Sequence, residues 1–146
     1  MKTNRSFYVA LVLLVTLVAC DKDDEVDDSP SLPANPHGLW IGSHTVNQLP
    51  SMGTKFYSFV IKPDGKMLTE GVGADGNTYY HQGTWTLVGD SLKATYTTIN
   101  SPIWDVTQHA TFYFNKTTRT LTSGTWKDGQ GGSNYTGTFP TMVIVD

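Results

Sequence analysis

From Gly38 to Val145 the chain runs as short zigzags of apolar and polar positions, broken by clusters of turn residues. Nowhere in this region do apolar residues recur every three or four positions, so no helix is predicted. The runs GLWIGSHTV (38–46), KFYSFVIK (55–62), KMLTEGV (66–72), YYHQGTWTLV (79–88), SLKATYTTI (91–99), TQHATFYFN (107–115), TLTSGTW (120–126) and NYTGTFPTMVIV (134–145) are rich in Thr, Tyr, Phe, Val and Trp, and predict eight strands. PDG at Pro63–Gly65 predicts a type I turn with glycine at a positive dihedral. Gly89-Asp90 predicts a two-residue hairpin, and GADGN at Gly73–Asn77 a tight reversal. NSPIWD (100–105) and KDGQGGSN (127–134) are longer and are expected to line one rim. Eight sequential strands expose two edges unless they close, which points to an all-β fold, an eight-stranded antiparallel up-and-down β-barrel. An open sandwich is the alternative.

A glycine two residues before a bulky ring recurs in GLW (Gly38, Trp40), GTW (Gly83, Trp85), GTW (Gly124, Trp126) and GTF (Gly137, Phe139). Residues two apart on a strand share a face, so the glycine leaves an empty place beside the ring and lets the strand bend. Trp40, Trp85, Trp126 and Phe139 are therefore expected to fill the interior, each indole N–H seeking an acceptor.

Ahead of this region, Lys2 and Arg5 precede the apolar run FYVALVLLVTLVAC, which is too short to span a bilayer as a mature helix. Its end, LVAC (Leu17–Cys20), resembles a bacterial lipoprotein signal, which implies cleavage after residue 19 and acylation of Cys20. Two or three acyl chains, at about 0.8 kcal/mol per buried methylene, anchor stably where one does not. Cys20 is also the only cysteine, so no disulfide within the chain holds the fold. The following DKDDEVDDSPSLPANP, acidic and then proline-rich, has no core-forming residues to speak of and reads as a tether over residues 20–36. CDKDDE resembles the surface-export signal of lipoproteins in the Bacteroidota, which implies a lipid-anchored protein on the outside of the outer membrane. Residues 37–146 then form a single domain.

Charge narrows the partners. Without Lys2 and Arg5 the chain carries eight basic against thirteen acidic residues, a net charge of minus five. Six of those acids lie in the tether, and from Pro36 onward there are seven of each sign. The folded part thus offers no basic field for nucleic acid.

With its GLW first strand and meander of G-T-W strands, and especially in FYSFVIKPDGKMLTEGVGADGNTYYHQGTWTLVG, the domain resembles the lipocalin-like lipoproteins of Bacteroidota. That resemblance covers nearly all of the folded part and implies a barrel, open at one end, that holds a small apolar molecule. The sequence departs from lipocalins in two ways: no helix is predicted after the last strand, and no arginine stands in that strand to cover the first tryptophan. Fold, rather than ligand, is what the resemblance carries.

An eight-stranded barrel is just wide enough to be packed with side chains or to hold one small ligand. Tyr57, Tyr79, Tyr80, Tyr96, Tyr113 and Tyr135 add more ring surface than a minimal core needs. The candidate ligand-binding residues are Trp40, Tyr57, His81, Trp85, Tyr96, Trp104 and Trp126, with Trp104, in a loop, either a plug over the barrel end or a contact for a partner. His37, His44, His81 and His109 lack the close spacing of a metal site, and no metal or other cofactor is expected. Asp64, Asp75, Asp90 and Asp128 sit where a side chain caps its own turn, Glu70 is the only glutamate of the folded part, and no nucleophile elbow or phosphate cradle is present. The expectation is a non-catalytic surface lipoprotein that binds a small apolar or aromatic ligand. The alternative is a packed barrel serving as an interaction module of a cell-surface complex, possibly one handling glycans.

Overall fold

The computed structural model describes residues 35–101 and 105–145. The signal, Cys20, the tether up to residue 34 and Trp104 lie outside the described residues. Eight strands follow in order: β1 (Gly38–His44), β2 (Lys55–Ile61), β3 (Lys66–Val72), β4 (Thr78–Val88), β5 (Ser91–Thr98), β6 (Thr107–Asn115), β7 (Thr120–Asp128) and β8 (Thr136–Val145), with a short 3-10 helix at Pro50–Met52 between β1 and β2. Each strand pairs antiparallel with its successor, and β8 pairs back onto β1 to close an up-and-down barrel. Among the described residues no sheet edge remains for another chain to extend.

Side-chain alternation explains why these runs are strands. On β5, Leu92, Ala94 and Tyr96 are buried while Lys93 and Thr95 face solvent; on β6, Ala110, Phe112 and Phe114 are buried while Thr111 and Tyr113 face out. The turns at one end follow the sequence closely. Gly65 has φ +79° after Asp64, and Gly89 alone of its pair has a positive φ, +62°, as the first position of a II′ hairpin requires. That end is filled. Trp40, Phe59, Ile61, Met67, Leu92, Phe112, Phe114, Leu121 and Met142 are buried there, and Pro36 closes it from below, its carbonyl accepting the Trp40 Nε1–H at 2.7 Å.

The alternation slips once, in β7 and β8 together. Inward positions run Leu121, Gly124, Trp126 on β7 and Phe139, Met142 on β8, three residues apart at the step. The two strands stay in register with each other across it, Leu121 opposite Met142 and Gly124 opposite Phe139, while β7 gains one residue on β6 between the pairs Thr111–Thr125 and Tyr113–Thr122. Ser123 absorbs the bulge with φ +52°. Pro140, with no N–H to give, sits at the same step on β8, where a bulge tolerates it.

The glycines of the G-x-ring repeat work differently from the sequence expectation. A Cβ on Gly137 would strike the Thr45 carbonyl oxygen and the indole of Trp126, and one on Gly124 would meet the rings of Phe112 at 2.7 Å. At Gly137 and Gly124 the empty place is thus filled by a ring from the neighbouring strand, not by the ring two residues along, whereas at Gly83 it meets the backbone of Thr95 and Tyr96 and at Gly38 the Ile144 side chain. All three indole N–H groups of the repeat find backbone acceptors: Pro36 for Trp40, Lys62 for Trp85 at 2.9 Å and Thr45 for Trp126 at 3.0 Å. Gly137→Ala is expected to destabilise the barrel by about 2–3 kcal/mol, because the new methyl meets a backbone oxygen that cannot rotate away. Urea unfolding should show a lower midpoint at an unchanged slope.

Candidate functional site

The opposite end of the barrel is open. There the connections are longer, and residues 45–54, 73–77 and 129–135, together with Val106, surround a cavity of about 380 Å³. Its wall is built from the last inward side chains of the strands: His44 on β1, Tyr57 on β2, Gly71 on β3, His81 on β4, Tyr96 on β5, Trp126 on β7 and Phe139 on β8. Ring and glycine geometry explains why this level is hollow when the level below is full. Gly71 brings no side chain, and the Tyr57 ring occupies the place its Cβ would take; the Trp126 indole does the same at Gly137. The two largest rings therefore lie along the wall instead of crossing the bore. Tyr57 and Phe139 meet edge to face at 5.0 Å, and His44 meets Tyr57 likewise at 5.0 Å.

A polar line runs through this aromatic wall. Tyr57 Oη lies 3.1 Å from Thr69 Oγ1, which lies 2.8 Å from His81 Nδ1. Two proton arrangements satisfy the line. Either Tyr57 donates to Thr69 and Thr69 to His81, or His81 donates to Thr69 and Thr69 to Tyr57. His44 is fixed: its Nε2–H donates to the Val72 carbonyl at 3.0 Å, which leaves Nδ1 as an acceptor in the neutral ring. Burial, and then the nearby His44, pull the His81 imidazole down to about 4. Burial also lowers His44, against the raising effect of its Val72 bond. Both rings are neutral at pH 7. The Tyr57 phenol is pushed up to about 12 by burial.

Tyr96 stands out. Its hydroxyl is buried and makes no hydrogen bond of sound geometry, although the Tyr57 hydroxyl is near enough to raise its pKa further beyond the large effect of burial. An unpaired buried hydroxyl costs about 1–3 kcal/mol. The Tyr96 ring packs edge-on against His81 at 5.4 Å and Phe59 at 6.1 Å, so the group is held in place by its neighbours.

At the rim, carboxylates tie down the loops. Asp75 accepts the Tyr79 hydroxyl at 2.7 Å and the Asn77 backbone N–H at 3.0 Å; the Tyr79 bond first, then those of Asn77, hold its carboxyl below the usual range. Asp128 accepts the backbone N–H groups of Ser133 and Tyr135, each at 3.1 Å, and the side-chain amide of Gln108 at 3.1 Å. Both fit the turn-capping role expected of these aspartates. Among the described residues lining the cavity there are two carboxylates and no lysine or arginine.

Of the residues singled out by sequence, Tyr57, His81, Tyr96 and Trp126 line this cavity. Trp40 lies in the filled end, wholly buried, beneath the hollow level. Trp85 points inward but sits half-buried at the filled rim, its ring edge-on to His37 at 5.5 Å. His44 and Phe139 are cavity residues that the list of candidates left out. Alternation held the signal: His44 shares a face with Trp40 on β1, and Phe139 with Gly137 on β8. Among the described residues no three His, Cys, Asp or Glu side chains come together to hold a metal ion. No protein-family model matches the chain, and no curated protein matches it in sequence. The repertoire of the wall is hydrogen bonding and ring contact: hydroxyls, neutral imidazoles and aromatic faces around a space of ligand size.

Proposed function

We propose that this chain is a non-catalytic binding protein: a surface lipoprotein, anchored through acyl chains on Cys20 to the outer membrane, that captures a small apolar or aromatic molecule in the open end of its barrel. The cavity of about 380 Å³ carries this reading, since it falls within the ~300–1,000 Å³ usual for ligand pockets and eight of the twenty described residues that line it carry rings. The sequence resemblance to lipocalin-like lipoproteins bears on the fold alone, and the filled lower level supplies the rigid floor that a preformed pocket needs.

Binding of a panel of small hydrophobic probes, followed by native mass spectrometry and by Trp126 fluorescence, tests it. Thr98→Trp provides the control. Thr98 lies half-buried on the cavity wall at the end of β5, a strand position that accepts an aromatic residue, and the larger ring would occupy the bore. Affinity for any bound probe should fall by about tenfold or more, while the unfolding midpoint stays near that of the parent chain. Absence of binding by every probe, or affinity indifferent to the blocked bore, would overturn the reading.

A further inference from the structure

Two ring nitrogens on the cavity wall are left over by the protein's own hydrogen bonding. His44 gives its Nε2–H to the Val72 carbonyl at 3.0 Å, and His81 Nδ1 lies 2.8 Å from Thr69 Oγ1. The second nitrogen of each ring, His44 Nδ1 and His81 Nε2, makes no hydrogen bond among the described residues. Sealed inside the barrel, each would be a buried polar atom without a partner; neither is one, so both keep accessible surface. The two residues are otherwise buried, 7 % and 6 % exposed, and both line the cavity, so that surface opens into it. Resting on the reading that the cavity is a ligand site, we propose that it selects ring compounds carrying an N–H or O–H donor, which hydrogen-bonds His44 Nδ1, over rings of the same shape without a donor.

The tautomer of His44 decides the direction of that bond. With the proton held on Nε2 by Val72, the neutral ring can only accept at Nδ1. A ligand that covers Nδ1 takes it out of contact with water, and a body without a donor returns nothing for that loss. A donor restores the bond, so the acceptor discriminates against the bare ring. Among the described residues no lysine or arginine lines the cavity to claim Nδ1 for the protein itself. His81 Nε2 adapts where His44 selects: it donates when Thr69 donates to Nδ1, and accepts when Nδ1 holds the proton. It can serve a further polar group of either kind on the ligand. The ring body has its place beside the acceptor, because His44 stands 5.0 Å from the ring of Tyr57, 6.2 Å from Trp126 and 6.3 Å from Phe139, all three on the cavity wall.

Calorimetric titration of the full chain at pH 7 with indole and benzothiophene, bodies of nearly one shape with and without an N–H, tests the assignment. Indole should bind about tenfold tighter. In His44→Gln the side-chain amide can still donate to the Val72 carbonyl while the Nδ1 acceptor is gone. Indole should then fall to the level of benzothiophene, and benzothiophene should bind as it does to the parent chain. A residue that only shaped the pocket would lower both alike. Magnetic resonance of the chain with isotope-labelled histidine nitrogens gives a second readout: the Nδ1 signal that His44→Gln removes should shift with indole and hold with benzothiophene. Equal affinities in the parent chain, a preference kept in His44→Gln, or an unmoved Nδ1 signal with indole bound would overturn the assignment while the ligand site stands. If neither compound binds, the assignment falls; the ligand site itself is then judged by the wider probe panel and the blocked Thr98→Trp bore.

Discussion

Trp40→Ala is expected to destabilise the barrel by about 4 kcal/mol, within the 3–5 typical of removing a large buried ring. The indole is wholly buried, meets Phe114 edge to face at 5.9 Å and donates to the Pro36 carbonyl at 2.7 Å. Its loss opens a void that β1 cannot collapse into, because that strand is hydrogen-bonded on both sides to β2 and β8. It also leaves the Pro36 carbonyl without its partner at the bottom of the barrel. Domains of this size are stable by about 5–15 kcal/mol, so this one change removes a large share. Trp85→Ala, which loses a half-buried ring and the bond to Lys62, should cost no more than about 1–2 kcal/mol. Urea unfolding of the two variants side by side measures the difference, and equal losses would mean that the floor of the barrel is not where its stability is concentrated.

Acid should weaken the protein before its carboxylates titrate. His81 has a folded-state pKa of about 4 against an ordinary value of 6.5, so the unfolded chain takes up this proton first as pH falls. Its contribution is complete above pH 6.5, declines between 6.5 and about 4, and is constant below. At about 1.4 kcal/mol per pKa unit, that interval corresponds to about 3 kcal/mol, and His44, shifted the same way, adds to it. Asp75 acts in the same direction at lower pH, because its bonds to Tyr79 and Asn77 favour the ionised form. Unfolding free energies measured across pH 4 to 7 should therefore fall toward acid in the parent chain. In His81→Gln the slope between pH 6.5 and 4 should flatten; a slope that persists would place the proton uptake elsewhere.

Much of the architecture was legible because it is local. Alternation and turn residues are properties of neighbours in the chain, and the eight runs lie within a few residues of the observed strands. β1 ends at His44 rather than continuing to Val46, since Thr45 and Asn47 step across to Thr138 and Thr136 on the far side of Pro140. The step in alternation had one local mark, the proline in TGTFPTMV, but its coupling to the bulge at Ser123 on the neighbouring strand β7 depends on register. Alternation also separates the inward Tyr57 and Tyr96 from the outward Tyr80 and Tyr113. It does not say at which height of the barrel an inward ring stands, which is why Trp40, Trp85 and Trp126 meet three different fates. Whether a ring crosses the bore or lies on the wall is decided by a glycine on the adjacent strand, a relation between residues such as Tyr57 and Gly71 that no spacing along one strand reveals.

The order of the strands carries a kinetic consequence. Seven of the eight pairings join successive strands and form as hairpins, whereas the contact of Leu39 with Val145 bridges nearly the whole folded length. Because chain entropy must be surrendered before so distant a contact repays it, zipping of the last strand onto the first is the slow event of assembly. The small seam formed by Trp40, Gly42, Met142 and Ile144 then acts as a latch, and its strength sets how long a closed ring survives before it reopens.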